Sequence, residues 1–281
     1  MAASIAVLHP GQMGVAVAAT LKNSGNEVWW VSQGRRQPTR DRAVRLGLKE
    51  ARSLGELRGS CSVIVSVCPP EFASQQAEGV FASGWRGLYI DANAISPEHV
   101  CALAERMRAA GVDFVDAGII GLPPTERGQC WMHLSGPRAA EAAALFHAGP
   151  METNLAGAEI CQASALKMCF AGFNKGSTAL LCAVLATAQH YGVSEHLKQQ
   201  WTSYGPKLSQ VQRQISLAAP KAWRWVQEMR EISATFAAAG LPPEFHQAAA
   251  KLFSELAGFK DCPEPDLAAV LGVLTRAPPA K

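Results

Sequence analysis

The chain is 281 residues long, which at about 150 residues per domain favours two domains. Its 26 Lys and Arg against 23 Asp and Glu leave a formal charge of only +3, and 17% charged residues beside 48% apolar ones describe a heavily buried chain. This excludes disorder of the whole chain, disfavours a nucleic-acid binder because no basic stripe accompanies the small excess, and suits a subunit interface in addition to a core.

Residues 1–8 are apolar but short, with no basic flank and no small-residue cleavage site, so no signal peptide is expected. No uninterrupted run reaches the roughly 18 apolar residues of a membrane span, and a cytoplasmic address without membrane association is the expectation. The eight cysteines, at 61, 68, 101, 130, 161, 169, 182 and 262, never form a C-x-x-C pair, and most sit in apolar runs. Buried reduced thiols are expected, neither a disulfide frame nor a zinc site. The seven histidines show no ligand spacing, so no metal is expected.

In chain order, residues 4–8, 27–31, 61–67, 88–91 and 113–116 read as strands, with a helix over 97–110 and a further strand around 130–134. Pro69 and Pro70 stop the third strand, since proline cannot continue a central strand. Continuous apolar strands separated by helices predict a doubly wound parallel sheet covered on both faces. The second half is all helical: one long helix over 162–191, apolar nearly all round, then helices over 194–216, 220–239 and 243–257, and a short one in the proline-rich tail. The expected architecture is an α/β Rossmann-like dinucleotide domain over 1–157 and an all-α substrate and dimerisation domain over 158–281, joined by the long helix.

Directly after the first strand stands His9-Pro10-Gly11-Gln12-Met13-Gly14, opening a helix. It matches the second and third glycines of G-x-G-x-x-G, with His9 at the first. Gly11 lets backbone N–H groups approach a diphosphate, Gly14 permits close helix–strand packing, and the helix N-terminus favours the anion. After the second strand come Ser32, Arg35, Arg36 and Thr39, with no carboxylate before Asp41. A carboxylate there would bind a ribose 2′-hydroxyl and repel a 2′-phosphate, whereas guanidinium groups pair with phosphate. NADP(H) is the expected cofactor.

Five motifs in order, His9-Pro-Gly-Gln-Met-Gly14, Val65-Ser-Val-Cys-Pro-Pro70, Asp91-Ala-Asn-Ala-Ile-Ser-Pro97, Asp116-Ala-Gly-Ile-Ile-Gly121 and Ser164-Ala-Leu-Lys167, resemble the β-hydroxyacid dehydrogenase superfamily. That superfamily includes the 6-phosphogluconate dehydrogenases and is close to the imine reductases. The run from Lys221 to Ile232 is similar to a bacterial subgroup with a C-terminal domain of unknown function. The resemblance implies a homodimer through the C-terminal helices. It places Val67, Cys68 and Pro69 beside the cofactor, Asn93 and Ser96 near the nicotinamide, the Gly118-Ile119-Ile120-Gly121 segment at the substrate, and Lys167 as the catalytic lysine. A lysine within so apolar a helix is costly to bury charged, and proton exchange is its expected role.

The chain departs from the family where Ile120 replaces a substrate-binding serine and where Phe170 and Ala171 replace polar residues after the lysine. Asn174, seven residues and nearly two turns past Lys167, is the expected catalytic partner on a similar face. These changes remove a carboxylate clamp and make the pocket more apolar. Trp225, Glu228 and Met229 fall at i, i+3 and i+4, and with Phe170 and His246 they are expected to contact substrate. The expected function is an NADPH-dependent oxidoreductase moving hydride to or from a small carbonyl or hydroxy compound, with Lys167 handling the proton. Imine reduction is an alternative, favoured by a Glu228 open to a cation and opposed by Lys167, where imine reductases usually carry Asp or Tyr. A non-catalytic NADP(H)-binding redox sensor is the alternative from another class.

Overall fold

The computed structural model describes residues 2–275. The chain divides into two units, the first ending at Met168 and the second beginning at Cys169, so the division lies eleven residues past the expected one.

The first unit is built on one sheet of eight strands: β1 (Ser4–Val7), β2 (Glu27–Val31), β3 (Lys49–Ala51), β4 (Val63–Ser66), β5 (Leu88–Asp91), β6 (Asp113–Gly121), β7 (Cys130–Ser135) and β8 (Glu152–Gly157). Their order is β3-β2-β1-β4-β5-β6-β7-β8. All neighbours run parallel except β6 and β7, which are antiparallel. The exception follows from chain length: only residues 122–129 join β6 to β7, enough for a hairpin and too few for a parallel crossover. β3 and β8 lie outside the expected strands, and β6 runs to residue 121, five residues past its expected end at 116.

Strand side chains alternate between two cores. Ile5, Val7, Val65, Ile90 and Val115 face one side with Val17, Leu21 and Trp30. Ala6, Ile64, Tyr89 and Phe114 face the other with Trp85, Val100 and Met107. Covering both faces with helices α1 (Gln12–Asn23), α2 (Gln37–Arg45), α3 (Ala73–Ala82), α4 (Pro97–Ala109) and α5 (Ala139–Ala144) is what makes the strands apolar without interruption. Trp85 is wholly buried, and its ring N–H donates to the Cys61 carbonyl at 2.9 Å, which satisfies the one polar atom it takes out of water. Helix α4 starts where Pro97 follows Ser96, whose hydroxyl accepts from the His99 N–H.

Helix α6 (Gln162–His190) begins in the first unit and continues into the second, followed by α7 (Ser194–Tyr204), α8 (Leu208–Ala218), α9 (Ala222–Ala238), α10 (Glu244–Glu255) and α11 (Leu267–Leu274). The single helix expected over 194–216 is two, because Gly205-Pro206 removes a donor and breaks the ladder. Gly172 and Gly176, one turn apart on α6, make room for His246 of α10. A β-carbon at either position would stand 3.4 Å from its Nε2. By length and composition α6 is apolar enough to cross a membrane, although Lys167 and Lys175 interrupt its apolar runs. Its apolar surface is in part accounted for by Ile232 and Phe236 of α9, which meet it at Gly172.

The cysteine expectation needs correction. Cys101 of α4 and Cys161, the residue before α6, form a disulfide with Cα atoms 6.3 Å apart. Sixty residues separate them, with no spacing signature to announce the pair. Cys169 and Cys262 are exposed, while Cys61, Cys130 and Cys182 are buried free thiols as expected. Cys101→Ser should lower the unfolding free energy by about 2–4 kcal/mol. Thermal melts with and without dithiothreitol check this: reductant should shift the native chain and leave the variant where it is.

Candidate active site

Strand order reverses between β1 and β4, so the chain leaves their carboxyl ends in opposite directions and opens a crevice there, the position at which such sheets bind ligands. The His9–Gly14 loop emerges at this point. The Leu8 N–H still bonds to the Val65 carbonyl at 3.1 Å, and the Gly11 N–H then turns back to the His9 carbonyl at 2.8 Å. A β-carbon at Gly14 would lie 1.9 Å from the His9 carbonyl oxygen, so only glycine fits. Gly11 has nothing within 4 Å of its would-be β-carbon and leaves the start of α1 open. His9 is not among the described residues with positive φ, so the missing first glycine costs the loop nothing in backbone conformation.

The side chain of His9 turns inward. Its pKa is pushed down to about 4, first by burial and then by Arg35. His9 Nδ1 and Arg35 Nε are both buried without a hydrogen-bond partner among the described residues. Two orphaned polar atoms beside an open helix start fit an anionic ligand that supplies the missing acceptor. Cys68 lies close enough to Arg35 to feel its charge, but burial, and then Asp91, push its thiol up to about 12, which disfavours the thiolate.

Cys68, Asn93 and Asp91 form one network. The Cys68 N–H donates to Asn93 Oδ1 at 2.6 Å. Asn93 Nδ2 donates to Asp91 at 3.0 Å and to Ser66 Oγ at 3.2 Å, and the Asn93 N–H reaches Asp91 at 3.1 Å. The amide of Asn93 is thereby held in one orientation. Burial raises the Asp91 pKa to about 7, against the hydrogen bonds from Asn93. Val67 and Pro69 flank Cys68, half-buried and exposed respectively. Ser96 contributes the α4 cap described above.

In the basic segment, Ser32 is buried and its carbonyl accepts from the Arg35 N–H at 3.1 Å and from Arg40 at 2.9 Å. Arg36 is the exposed residue preceding α2. Arg42 donates to the Pro10 carbonyl at 3.1 Å and to the Thr39 hydroxyl at 3.3 Å, tying α2 to the phosphate loop. Arg40 and Arg42 were not singled out from the sequence, because their carbonyl partners are eight and thirty-two residues away.

Two residues beyond the level of the β5 end, Gly118 of β6 faces α6. A β-carbon there would come within 2.6 Å of the Ala163 carbonyl and 2.9 Å of the Lys167 β-carbon. Lys167 is half-buried, and its charge is felt by Cys130, which pairs with Gly121 across the hairpin. Strand alternation places Ile120 on the face of Gly118 and sends Ile119 into the opposite core, so the substrate contact expected of Ile119 is corrected. Gly121 is exposed at φ +131°, where its β-carbon would strike the Gln129 carbonyl at 2.5 Å.

The candidates in the second unit are differently disposed. Asn174 is exposed, and its Nδ2 donates to the Phe170 carbonyl one turn back at 2.9 Å. Phe170 is 47% exposed. Met229 is wholly buried, so it is a core residue and not the expected substrate contact. Glu228 is buried and ion-paired with Lys175, whose amine also lies 5.3 Å from the Trp225 ring centre. Trp225 packs edge-on against Phe253. His246 is buried between Phe236 and Phe245. Its pKa is lowered by burial and opposed by a hydrogen bond to the Gly172 backbone, which is the environment of a packing histidine.

Residues 4–145 match the NAD binding domain of 6-phosphogluconate dehydrogenase, and residues 188–256 match a domain of unknown function, DUF1932. With half of the chain matched, it belongs to the 6-phosphogluconate dehydrogenase-like NAD-binding family. An uncharacterized 28.5 kDa protein of Methanothermus fervidus is 27% identical over 175 residues. These cover 61% of this chain and 65% of that relative, just under two thirds of its length. The conserved protein MTH1747, of unknown function and described as structurally similar to 3-hydroxyacid dehydrogenases, superposes with a TM-score of 0.67 at 25% identity, covering 91% of this chain and 97% of that one. A Mycobacterium tuberculosis 3-hydroxyisobutyrate dehydrogenase in a structure with L-serine superposes at 0.71 with 19% identity, covering 98% and 100%, and so shares the fold.

The depressed His9 pKa has a consequence for acid stability. With a native value of about 4 and an ordinary value of 6.5, the unfolded chain binds a proton that the native chain refuses. The His9 contribution is complete above pH 6.5 and is lost as pH falls towards 4. Replacing it by His9→Gln should flatten that acid limb by about 1–2 kcal/mol, read from denaturant melts at pH 4.5 and 7.5.

Proposed function

We propose that the protein is an NADPH-dependent oxidoreductase of the β-hydroxyacid dehydrogenase type, acting in the cytoplasm on a small carbonyl or hydroxy compound. The observation that carries this reading is the placement of Lys167 against Gly118, at the same carboxyl edge of the sheet as the phosphate loop, Cys68 and Asn93. His9, Gly11, Met13 and the start of α1 would hold the diphosphate, with Pro10 and Gln12 completing the turn and Gly14 setting its closeness. Arg35, Arg36 and Thr39 would meet a 2′-phosphate, in a segment without a carboxylate until Asp41, which Gln37 engages at 2.7 Å. The cofactor, when bound, supplies or takes up the hydride. The Lys167 ammonium donates a proton to the substrate oxygen in reduction and its amine recovers one in oxidation, a role typically contributing 10²–10⁴-fold. Asn93, fixed by Asp91 and Ser66, presents a constant polar edge beside the Cys68 backbone.

Ile120 on the Gly118 face favours a substrate with less carboxylate character than a simple hydroxy acid. The carbonyl and hydroxy reading is preferred to imine reduction because Glu228 already neutralises Lys175 and has no spare charge for an iminium. A homodimer through α6 is part of the same proposal. Phe170, Phe173 and Leu180 are exposed along that helix at three- and seven-residue steps, and Phe173 is 76% exposed.

NADPH should raise the melting temperature well above NADH, with Arg35→Ala abolishing the difference. Thermal shifts read this directly, and equal shifts would remove the preference for NADPH. Lys167→Ala should lose about 10²–10³ in kcat while keeping its NADPH affinity. Unchanged turnover would sink the proton-transfer role, and NADPH binding without turnover on hydroxy acids, aldehydes, ketones and cyclic imines would make the protein a sensor. Phe173→Glu should convert a dimer into monomers by light scattering.

A further inference from the structure

Neither the phosphate loop nor the cofactor network uses the carboxylate of Asp116. It is wholly buried, on β6, two residues before Gly118. One oxygen accepts the Ser164 hydroxyl at 2.5 Å. The other accepts the Ser164 backbone N–H at 2.9 Å and the Ser135 hydroxyl at 3.1 Å. The Ser135 oxygen in turn accepts the Ala163 N–H at 2.9 Å. A helix leaves its first four N–H groups without partners of its own. Here two of them in α6 are satisfied from the sheet, by a side chain of β6 and one of β7. The residue before the helix is Cys161, in a left-handed backbone at φ +86°, and its side chain is committed to the disulfide. The cap has come from outside.

The arrangement sets a register between strand and helix. Asp116 and Gly118 are two apart and share one face of β6, while Ser164 and Lys167 are three apart and share one face of α6. The carboxylate meets Ser164, and one strand repeat further on the bare Gly118 meets the stem of Lys167. Gly118 determines how near α6 lies. It does not determine where α6 stops in its rotation or its advance along the strand, since a smooth glycine surface resists neither. The Asp116 hydrogen bonds are directional and resist both. A carboxylate without solvent is also a poor choice for stability alone, because burial pushes its pKa up and only its donors hold it down.

We propose that Asp116, acting through Ser135 and Ser164, is the positioning residue for the Lys167 amine, fixing the rotation and advance of α6 on β6. This rests on the proton-transfer reading of Lys167 given above. Asp116 itself touches neither substrate nor cofactor. Its removal therefore acts on the chemical step through geometry, where a displacement near 1 Å typically costs about 10²-fold.

The test uses the full chain with NADPH and the best substrate of the panel. Asp116→Asn should reduce kcat about 10- to 100-fold, and Ser164→Ala less, with KM and the NADPH-induced thermal shift within about twofold of native. Ser164→Thr, which keeps the hydroxyl, should recover most of the loss. A second readout needs no turnover: trinitrobenzenesulfonate labelling of Lys167, followed by peptide mass spectrometry, should change several-fold in Ser164→Ala. Labelling of exposed Lys207 should stay constant. If Asp116→Asn does not fold, the Ser164 pair carries the test. Native kcat and native Lys167 labelling in Ser164→Ala, beside an inactive Lys167→Ala, would overturn the positioning role. Full turnover in Lys167→Ala would sink the proton-transfer reading instead, and the labelling arm would still decide whether Asp116 and Ser164 hold the amine in place.

Discussion

A parallel sheet with helices on both faces has no room for polar chemistry except at its ends. Every side chain that points up or down from the middle of β1, β4 or β5 enters a core. The polar residues that matter are accordingly confined to the carboxyl edge. His9 follows β1, Ser66 ends β4, Asp91 ends β5, and Asp116 lies level with Asp91 on β6. The same confinement explains their perturbed acidity. These groups stand at the border between a dry interior and the crevice, and burial is the largest cause of the shift in His9, Cys68, Asp91 and Asp116 alike. The site is a by-product of how the sheet is covered.

What could be foreseen from residues follows from the range of the interactions. The phosphate loop is a local arrangement, strand to turn to helix within a dozen residues, and its two glycines do what their spacing implies. The prolines that end β4 and the apolar strands of the central sheet are equally local signals. The short β3 and the outermost strand β8 escaped because Lys49–Ala51 and Glu152–Gly157 are too polar to look like buried strands. They lie at the two sheet margins, where one side is unpaired. Arg42, Asp116 and the Cys101–Cys161 pair escaped for a different reason: each acts on a partner tens of residues away, and no periodicity links them.

The helical unit shows the opposite failure. Amphipathic spacing identified the face of Trp225, Glu228 and Met229 correctly as a face, but spacing says nothing about what a face meets. Met229 meets the core, Glu228 meets Lys175, and His246 meets two glycines and two phenylalanines. A buried acid, amine or imidazole attracts functional readings in a sequence because its partner is invisible there. Once the partner is known, charge and hydrogen-bonding capacity are largely accounted for, and less is left for a substrate.

The disulfide closes residues 101–161 into a covalent ring that contains β6, β7 and β8 and their connections. Tension entering the first unit along α6 arrives at Cys161 and passes to Cys101 in α4, so the strands within the ring carry none of it. An unfolding machine pulling from the carboxyl end would have to peel away α4, beside the middle of the sheet, before it could extend the strands nearest to the lysine. A single backbone cut in the exposed hairpin at residues 125–129 would likewise open the ring without dividing the chain. The strand that packs against the stem of Lys167 is thus shielded from mechanical load by its own cross-link.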